Sequence, residues 1–113
     1  MKDCLFCRII NGEIPSKKVY EDAQTYAFED INPQGPTHVL VVPKKHIQGL
    51  KEAADEDAEL IGQCHLAAAG IARQRGIEDG YRTVLNVGPK AGQSVFHLHV
   101  HLIGGRSLHW PPG

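Results

Sequence analysis

Three histidines separated by single apolar residues form the part of this chain best suited to chemistry. They are His97, His99 and His101, in the run HLHVHLI over residues 97–103. Alternate side chains of a β-strand point to the same face, so a strand here places three imidazoles on one face and apolar side chains on the other. Near neutral pH an imidazole serves as acid, base, nucleophile or metal ligand. We therefore predict a reactive face; the alternatives are a polar surface strand or hydrogen-bonded core histidines.

The residues just before this run have the composition of a phosphate-binding loop. Gly88 and Gly92 allow close backbone approach, and Asn86 and Ser94 supply neutral hydrogen-bond partners. The same residue types make ordinary turns, but their position beside three imidazoles favours phosphate. A neutral imidazole whose other nitrogen donates to a carbonyl is a nucleophile toward phosphorus. The central His99 is the natural nucleophile, because same-face residues lie about 6.6 Å apart and a flanking imidazole can meet a phosphate oxygen.

The cysteines suggest a metal ligand pair. The chain has three, Cys4, Cys7 and Cys64, and its start shows no apolar leader, so we expect a cytoplasmic protein. In a reducing compartment the C-x-x-C pair of Cys4 and Cys7 favours a metal over a disulfide. The alternative is that both are small core residues of a short helix. Cys64 lies in a helical apolar pattern and is expected in the core.

Composition excludes two classes of partner. The 113 residues carry 12 Lys and Arg against 13 Asp and Glu, without a basic stripe, which argues against a nucleic-acid polymer. No apolar run approaches the length of about 18 residues that a membrane span needs. The length suits one domain over residues 1–113.

The order of predicted elements gives an α+β fold. Strands lie near both ends, one long helix lies in the middle, and a short connection favours antiparallel pairing of the last two strands. The predicted elements are a helix over Cys4–Asn11 capped by Asp3 and ended by Gly12, a hairpin of 18–21 and 25–29 around Asp22-Ala23, a strand over His38–Pro43, a helix from Asp55 to about Arg75 stopped by Gly76, and strands over Tyr81–Val87 and 97–103.

The chain resembles the histidine triad superfamily, specifically its Hint branch of nucleoside phosphoramidate hydrolases. The run over 97–103 fits the signature His, apolar, His, apolar, His, apolar, apolar, and the similarity extends over 6–47, 86–105 and 109–113. The resemblance implies a five-stranded antiparallel sheet with one long and one short helix. It also implies a homodimer in which two such sheets join into one.

The resemblance also implies roles for individual residues. His99 would be the nucleophile, His101 would contact the phosphate together with Ser94, and His38 would support them. An Asp can accept hydrogen bonds from ribose hydroxyls, although its ordinary role in a loop is to cap a turn. Apolar residues can line a pocket for a purine, although their ordinary role is core packing. The implied nucleotide-binding set is Asp30 at the ribose, Phe6, Ile9, Ile31 and Leu40 around the base, and Asn86, Gly92, Gln93, Ser94, His99 and His101 at the phosphate.

The C-x-x-C pair departs from the best-known Hint proteins. It resembles zinc-containing histidine triad relatives and galactose-phosphate uridylyltransferases, in which two histidines complete a structural zinc site. If these roles hold for this chain, the resemblance implies that its zinc ligands are Cys4, Cys7, His46 and His97. Four ligands satisfy the count of a closed structural site. His97 then takes no part in catalysis, and His99 and His101 remain for the phosphate.

We therefore expect a hydrolase that cleaves the P–N bond of purine nucleoside 5′-phosphoramidates, including aminoacyl-adenylate-type substrates. The reaction would pass through a nucleotidyl intermediate on His99, with structural zinc and no catalytic cofactor. One alternative is a zinc hydrolase whose metal is held directly by His97, His99 and His101, which leaves the loop before them unexplained. The other is a nucleotide-binding or adaptor module without catalysis.

Overall fold

A computed structural model describes residues 3–113 and confirms the predicted α+β fold, with a single antiparallel sheet of five strands. The elements are α1 (Leu5–Ile10), β1 (Lys18–Glu21), β2 (Thr25–Glu29), β3 (Thr37–Pro43), α2 (Ala58–Gln74), β4 (Tyr81–Val84) and β5 (Val100–Gly104). Across the sheet the strands lie in the order β1-β2-β3-β5-β4. Strand β5, the last of the five along the sequence, thus lies between β3 and β4, and β4 forms an edge. Continuation of the sheet across a homodimer stays a prediction.

One face of the sheet carries the main hydrophobic core. Helix α2 packs on it, because its apolar residues recur at helical spacing and form one stripe. The buried cluster consists of Ala27, Val39, Val41, Val100 and Leu102 from the sheet and Cys64, Ala68, Ile71 and Ala72 from the helix. Burial raises the pKa of the Cys64 thiol to about 12, so this cysteine stays a neutral core residue, as predicted.

The opposite face carries a second cluster under the short helix α1. Phe6 and Ile9 of α1 pack on Phe28 and Leu40 of the sheet, and the Phe6 and Phe28 rings meet edge to face at 5.4 Å. A helix of this length is unstable alone, so its packing on the sheet holds it in place. No helix in the described range is long and apolar enough to span a membrane.

Several predicted boundaries shift. Helix α1 is capped by Cys4 and not by Asp3: Cys4 has extended backbone angles, and its sulfur accepts the Cys7 amide at 3.4 Å. Helix α2 begins at Ala58 because residues 55–57 form a 3₁₀ turn. Strand β3 starts one residue early, at Thr37, and β4 stops at Val84.

The predicted strand over residues 97–103 is only partly present. Pairing with β3 and β4 covers Val100–Gly104. Upstream, the Leu98 amide donates to the Ile47 carbonyl at 2.6 Å, so this part of the chain is held by a loop and not by a strand. The side chains nevertheless alternate: Val100 and Leu102 lie in the α2 core, whereas His99 packs against Phe6 and His101.

Replacing Leu102 tests the core. Its side chain is fully buried between β3, β4 and α2, so Leu102→Ala leaves a cavity and should lower the free energy of unfolding by about 2–5 kcal/mol. Leu50→Ala, at a side chain 44% exposed, is the matched control and should cost about 1 kcal/mol or less. Denaturant unfolding of both variants measures the difference, and equal losses would contradict this core assignment.

Candidate active site and metal cluster

The three predicted histidines lie on the α1 side of the sheet, opposite the α2 core. His97 is fully buried, His99 is 8% exposed and His101 is partly buried. The Phe6 ring approaches His97 and His99 edge-on, at ring-centre distances of 6.0 and 5.1 Å. The rings of His99 and His101 lie 5.0 Å apart. The predicted reactive face is therefore assembled, with apolar packing behind it.

The backbone fixes the orientation of His99. Its Nδ1 lies 2.8 Å from the carbonyl oxygen of His97, and only a protonated nitrogen can donate there. In the neutral ring this leaves the lone pair on Nε2. Burial lowers the pKa of His99, so the ring is neutral at pH 7. The structure thus presents an imidazole nitrogen in the form that a nucleophile requires.

A second hydrogen-bond chain fixes His101. The Gln34 amide donates to Nδ1 of His38 at 2.9 Å, so the His38 proton resides on Nε2. That Nε2 lies 2.9 Å from Nδ1 of His101, which must accept and therefore carries its own proton on Nε2. Burial, with His99 and His38 nearby, lowers the pKa of His101 to about 4. His101 is a neutral donor at pH 7.

Asp30 follows β2 and lies beside His38. Its Oδ2 is 3.3 Å from Nε2 of His38, and its Oδ1 accepts the Asn32 amide at 2.8 Å. Both residues line a groove of about 850 Å³, within the usual range for small-molecule sites. The groove is also lined by Ile9, Phe28, Ile31 and Pro33 on its apolar side and by Ser16, Lys17 and Glu29 among its polar residues.

The groove contains part of the predicted base pocket. Ile9 and Ile31 line it, and the Ile31 side chain is completely exposed. Phe6 and Leu40 are buried in the cluster beneath α1, so their contacts are those of core residues that support the groove.

The loop before the triad folds as a compact turn. Gly88 and Gly92 have φ of +84° and +101°, which L side chains rarely adopt. Asn86 lies beside Gly92, and Ser94 is exposed. The buried Gln93 side chain accepts from the Gly88 amide and donates to the carbonyls of Gln48 and Val95. Its contacts hold the loop together, and its predicted role in nucleotide binding remains a prediction.

A separate cluster brings together the four predicted metal ligands. Cys4, Cys7, His46 and His97 place their ligand atoms within 4.8 Å of one another. Nδ1 of His97 lies 3.3 Å from the sulfur of Cys4 and 3.5 Å from that of Cys7. Nδ1 of His46 lies 3.4 Å from the Cys7 sulfur and 3.2 Å from Nδ1 of His97.

These spacings fit a tetrahedral zinc ion. Bonds of about 2.3 Å to sulfur and 2.0–2.1 Å to nitrogen place sulfur and nitrogen ligands about 3.5 Å apart and two nitrogens about 3.3 Å apart. Nε2 of His97 donates to the Pro43 carbonyl at 2.7 Å, which leaves Nδ1 free of a proton, as a ligand must be. Burial lowers the pKa of His97 to about 4, which favours the same neutral form.

The triad does not form a metal cluster of its own. Among residues 3–113, the groups that could hold an ion are the four-residue cluster and the set Asp30, His38 and His101. Nδ1 of His97 faces the cysteines, and Nδ1 of His99 donates to a carbonyl. The geometry therefore disfavours a metal held jointly by His97, His99 and His101.

Some functional groups gave no signal in the sequence. Gln34 acts through its backbone amide, which any residue except proline provides, so its side-chain type carries no information. The Pro43 carbonyl that orients His97 is likewise a backbone group that every residue provides, so the residue type at this position gives no signal. Phe28 and Lys17 enter the groove only through the fold, although Phe28 belongs to a predicted strand.

With this site described, comparison with known proteins establishes the class. The family model described as the HIT domain matches residues 11–108, and the chain belongs to this family. An uncharacterised HIT-like protein of Synechococcus elongatus is 53% identical over 112 residues, covering 99% of this chain and 98% of that protein. The predicted histidine triad superfamily is confirmed, and the Hint branch stays a prediction.

Two further relatives match nearly the whole chain. A protein of Zea mays named 14 kDa zinc-binding protein is 51% identical over 111 residues, covering 96% of this chain and 87% of its own. The crystal structure of a HIT family hydrolase from Legionella pneumophila superimposes with a TM-score of 0.96 at 48% identity, covering 98% of this chain and all of that one.

The low pKa of His101 predicts acid sensitivity. Its folded pKa of about 4 lies below the unfolded value of roughly 6.5, so the unfolded state binds more protons and stability falls as the pH drops from 6.5 toward 4. The free energy of unfolding of the parent should fall between pH 7 and pH 4.5. In His101→Asn this fall should be smaller by about 2 kcal/mol. Denaturant titrations at both pH values test this, with exposed His109→Asn as the control. An unchanged loss in His101→Asn would contradict the burial argument.

Proposed function

We propose that the protein is a hydrolase that cleaves the P–N bond of purine nucleoside 5′-phosphoramidates, such as adenosine 5′-monophosphoramidate. The observation that carries this proposal is the hydrogen bond from His99 Nδ1 to the His97 carbonyl, which leaves the Nε2 lone pair available. The adjacent groove, with an acidic residue and an apolar wall, supports a nucleoside ligand. The HIT family hydrolase from Legionella pneumophila supports the reaction class.

In the first step, Nε2 of His99 attacks the phosphorus. The N–P bond to His99 forms, the P–N bond of the substrate breaks, and the departing nitrogen takes a proton from water to leave as an amine. The imidazole becomes positively charged, and its Nδ1–H points at the dipole of the His97 carbonyl. That carbonyl stabilises the charge without reorganising, because the backbone already holds it.

In the second step, water attacks the same phosphorus. The bond to His99 breaks, a proton leaves to solvent, and the nucleoside monophosphate is released with the Nε2 lone pair restored. His101 donates from Nε2 to a phosphate oxygen in both steps, because His38 occupies its Nδ1. Asp30 accepts hydrogen bonds from the ribose hydroxyls at the groove.

A non-catalytic nucleotide-binding module needs the groove but not this arrangement of imidazoles. Burial lowers the pKa values of His38, His99 and His101 together, and each ring has a defined tautomer. A binding site gains nothing from a buried neutral nucleophile, whereas covalent catalysis requires one. These features support an enzyme over an adaptor.

We also propose that Cys4, Cys7, His46 and His97 bind a structural zinc ion. The donor set and its spacings support four-coordinate zinc, and the zinc-binding relative from Zea mays supports the same metal. With four protein ligands no position remains for substrate. When bound, the ion supplies a cross-link between α1 and the residues before β5, and the phosphoryl chemistry stays with the imidazoles.

Replacing the nucleophile tests the reaction. His99→Ala should lower turnover of adenosine 5′-monophosphoramidate by at least about 100-fold, because no neighbouring nitrogen reaches the same position. Intact-mass spectrometry of the parent during turnover should show a nucleotidyl adduct that His99→Ala lacks. His65→Ala, on α2, is the control and should keep both. A folded His99→Ala protein within tenfold of the parent rate would refute the mechanism.

Removing a cysteine tests the zinc proposal. The parent should contain about one zinc ion per chain. Cys4→Ser should lose most of this zinc, and its free energy of unfolding should fall by about 3 kcal/mol or more. Elemental analysis and denaturant unfolding measure both effects. Cys64→Ala, at a buried cysteine outside the cluster, should keep its zinc. Parent protein prepared without chelator that contains no zinc would refute the proposal.

A further inference from the structure

A glycine turn directly after β5 is packed against the loop that carries Asp30. Gly105 has a φ of +90° and lies so close to Pro36 that a Cβ there would be 2.9 Å from the proline Cβ. On the loop side, a Cβ on Gly35 would lie 3.2 Å from the Gly104 carbonyl. The turn therefore packs directly on the loop, and the Pro36 ring leaves no room for a side chain at Gly105.

Arg106 joins the turn to the loop. Its Nε donates to the Gln34 carbonyl at 2.9 Å, and its Nη1 donates to the Ser107 carbonyl at 2.9 Å. The amide of the same Gln34 donates to Nδ1 of His38. Arg106 is exposed and is not one of the residues that line the groove, whereas Gly35 and Pro36 do line it. The guanidinium thus holds, from outside, the residue that orients His38.

We propose that Arg106 is a positioning residue for the phosphoryl chemistry. It holds Gln34 so that the Gln34 amide keeps the His38 proton on Nε2, which in turn keeps the His101 proton on Nε2. This inference rests on the proposed function, in which Nε2 of His101 donates to the phosphate. The chain of contacts runs from the guanidinium through Gln34 and His38 to His101.

The direction of these hydrogen bonds matters because the donors and acceptors of His38 and His101 can exchange roles. Two groups favour the proton on Nε2 of His38: the Gln34 amide at Nδ1 and the Asp30 carboxylate, 3.3 Å from Nε2. If Gln34 moves away, Nδ1 of His38 loses its donor, and a fraction of the rings can carry the proton there. Nε2 of His38 then accepts, Nδ1 of His101 donates, and Nε2 of His101 presents a lone pair to the phosphate. A donor that stabilises the anion becomes an acceptor that repels it. Losing Arg106 should therefore affect turnover without any direct contact to substrate.

The experiment compares Arg106→Met with Arg73→Met, an exposed arginine on α2 that controls for the lost charge. Long-range ¹H–¹⁵N correlation spectra of histidine-labelled protein report which nitrogen carries each proton. The parent and Arg73→Met should show His38 and His101 protonated on Nε2 alone. In Arg106→Met we expect a population protonated on Nδ1 and a kcat lower by about tenfold or more.

Wild-type tautomers in folded Arg106→Met, with kcat within about twofold of Arg73→Met, would overturn the inference. If Arg106→Met does not fold, Arg106→Gln is judged by the same two readouts. If the parent cleaves no phosphoramidate, the proposed function fails, and the tautomer spectra still decide whether Arg106 positions His38 and His101.

Discussion

The structure depends on how one residue, His97, is held. Its imidazole donates to the Pro43 carbonyl on one side and meets two cysteine sulfurs and His46 on the other. Its backbone carbonyl accepts from His99. A side chain fixed on both sides leaves its own carbonyl little freedom, so His99 takes its orientation from the Cys/His cluster. The Cys/His cluster and the neighbouring imidazoles are thus linked directly through His97.

The sheet separates this unit from the bulk of the stabilising core. Alternate residues of β5 point to opposite faces, so Val100 and Leu102 pack under α2 while His101 joins the imidazoles. The imidazoles on this face pair with one another, with the Gln34 amide or with the His97 carbonyl, which limits the cost of removing them from water. The α2 core and the imidazoles thus occupy different faces of the same strand.

The sequence predicted the features that depend on side-chain type and period. The alternation over 97–103 indicated the two faces, and the C-x-x-C pair indicated a metal ligand pair. The family resemblance added His46 and His97, and the structure brings all four residues together. The sequence could not predict that β5 begins only at Val100, because a loop contact from Leu98 to Ile47 replaces strand pairing there. Contacts through the backbone, such as the Gln34 amide and the Pro43 carbonyl, leave no trace in residue type.

The position of β5 in the sheet has a consequence for how the protein is made on the ribosome. The strand that separates β3 from β4 is translated after both of them, and His97, which contacts Cys4, lies 93 positions further along the chain. The short helix α1 cannot persist alone in the meantime. The surfaces of β3 and α2 that contact β5 therefore stay uncovered on the ribosome until β5 has emerged, and the sheet closes only then.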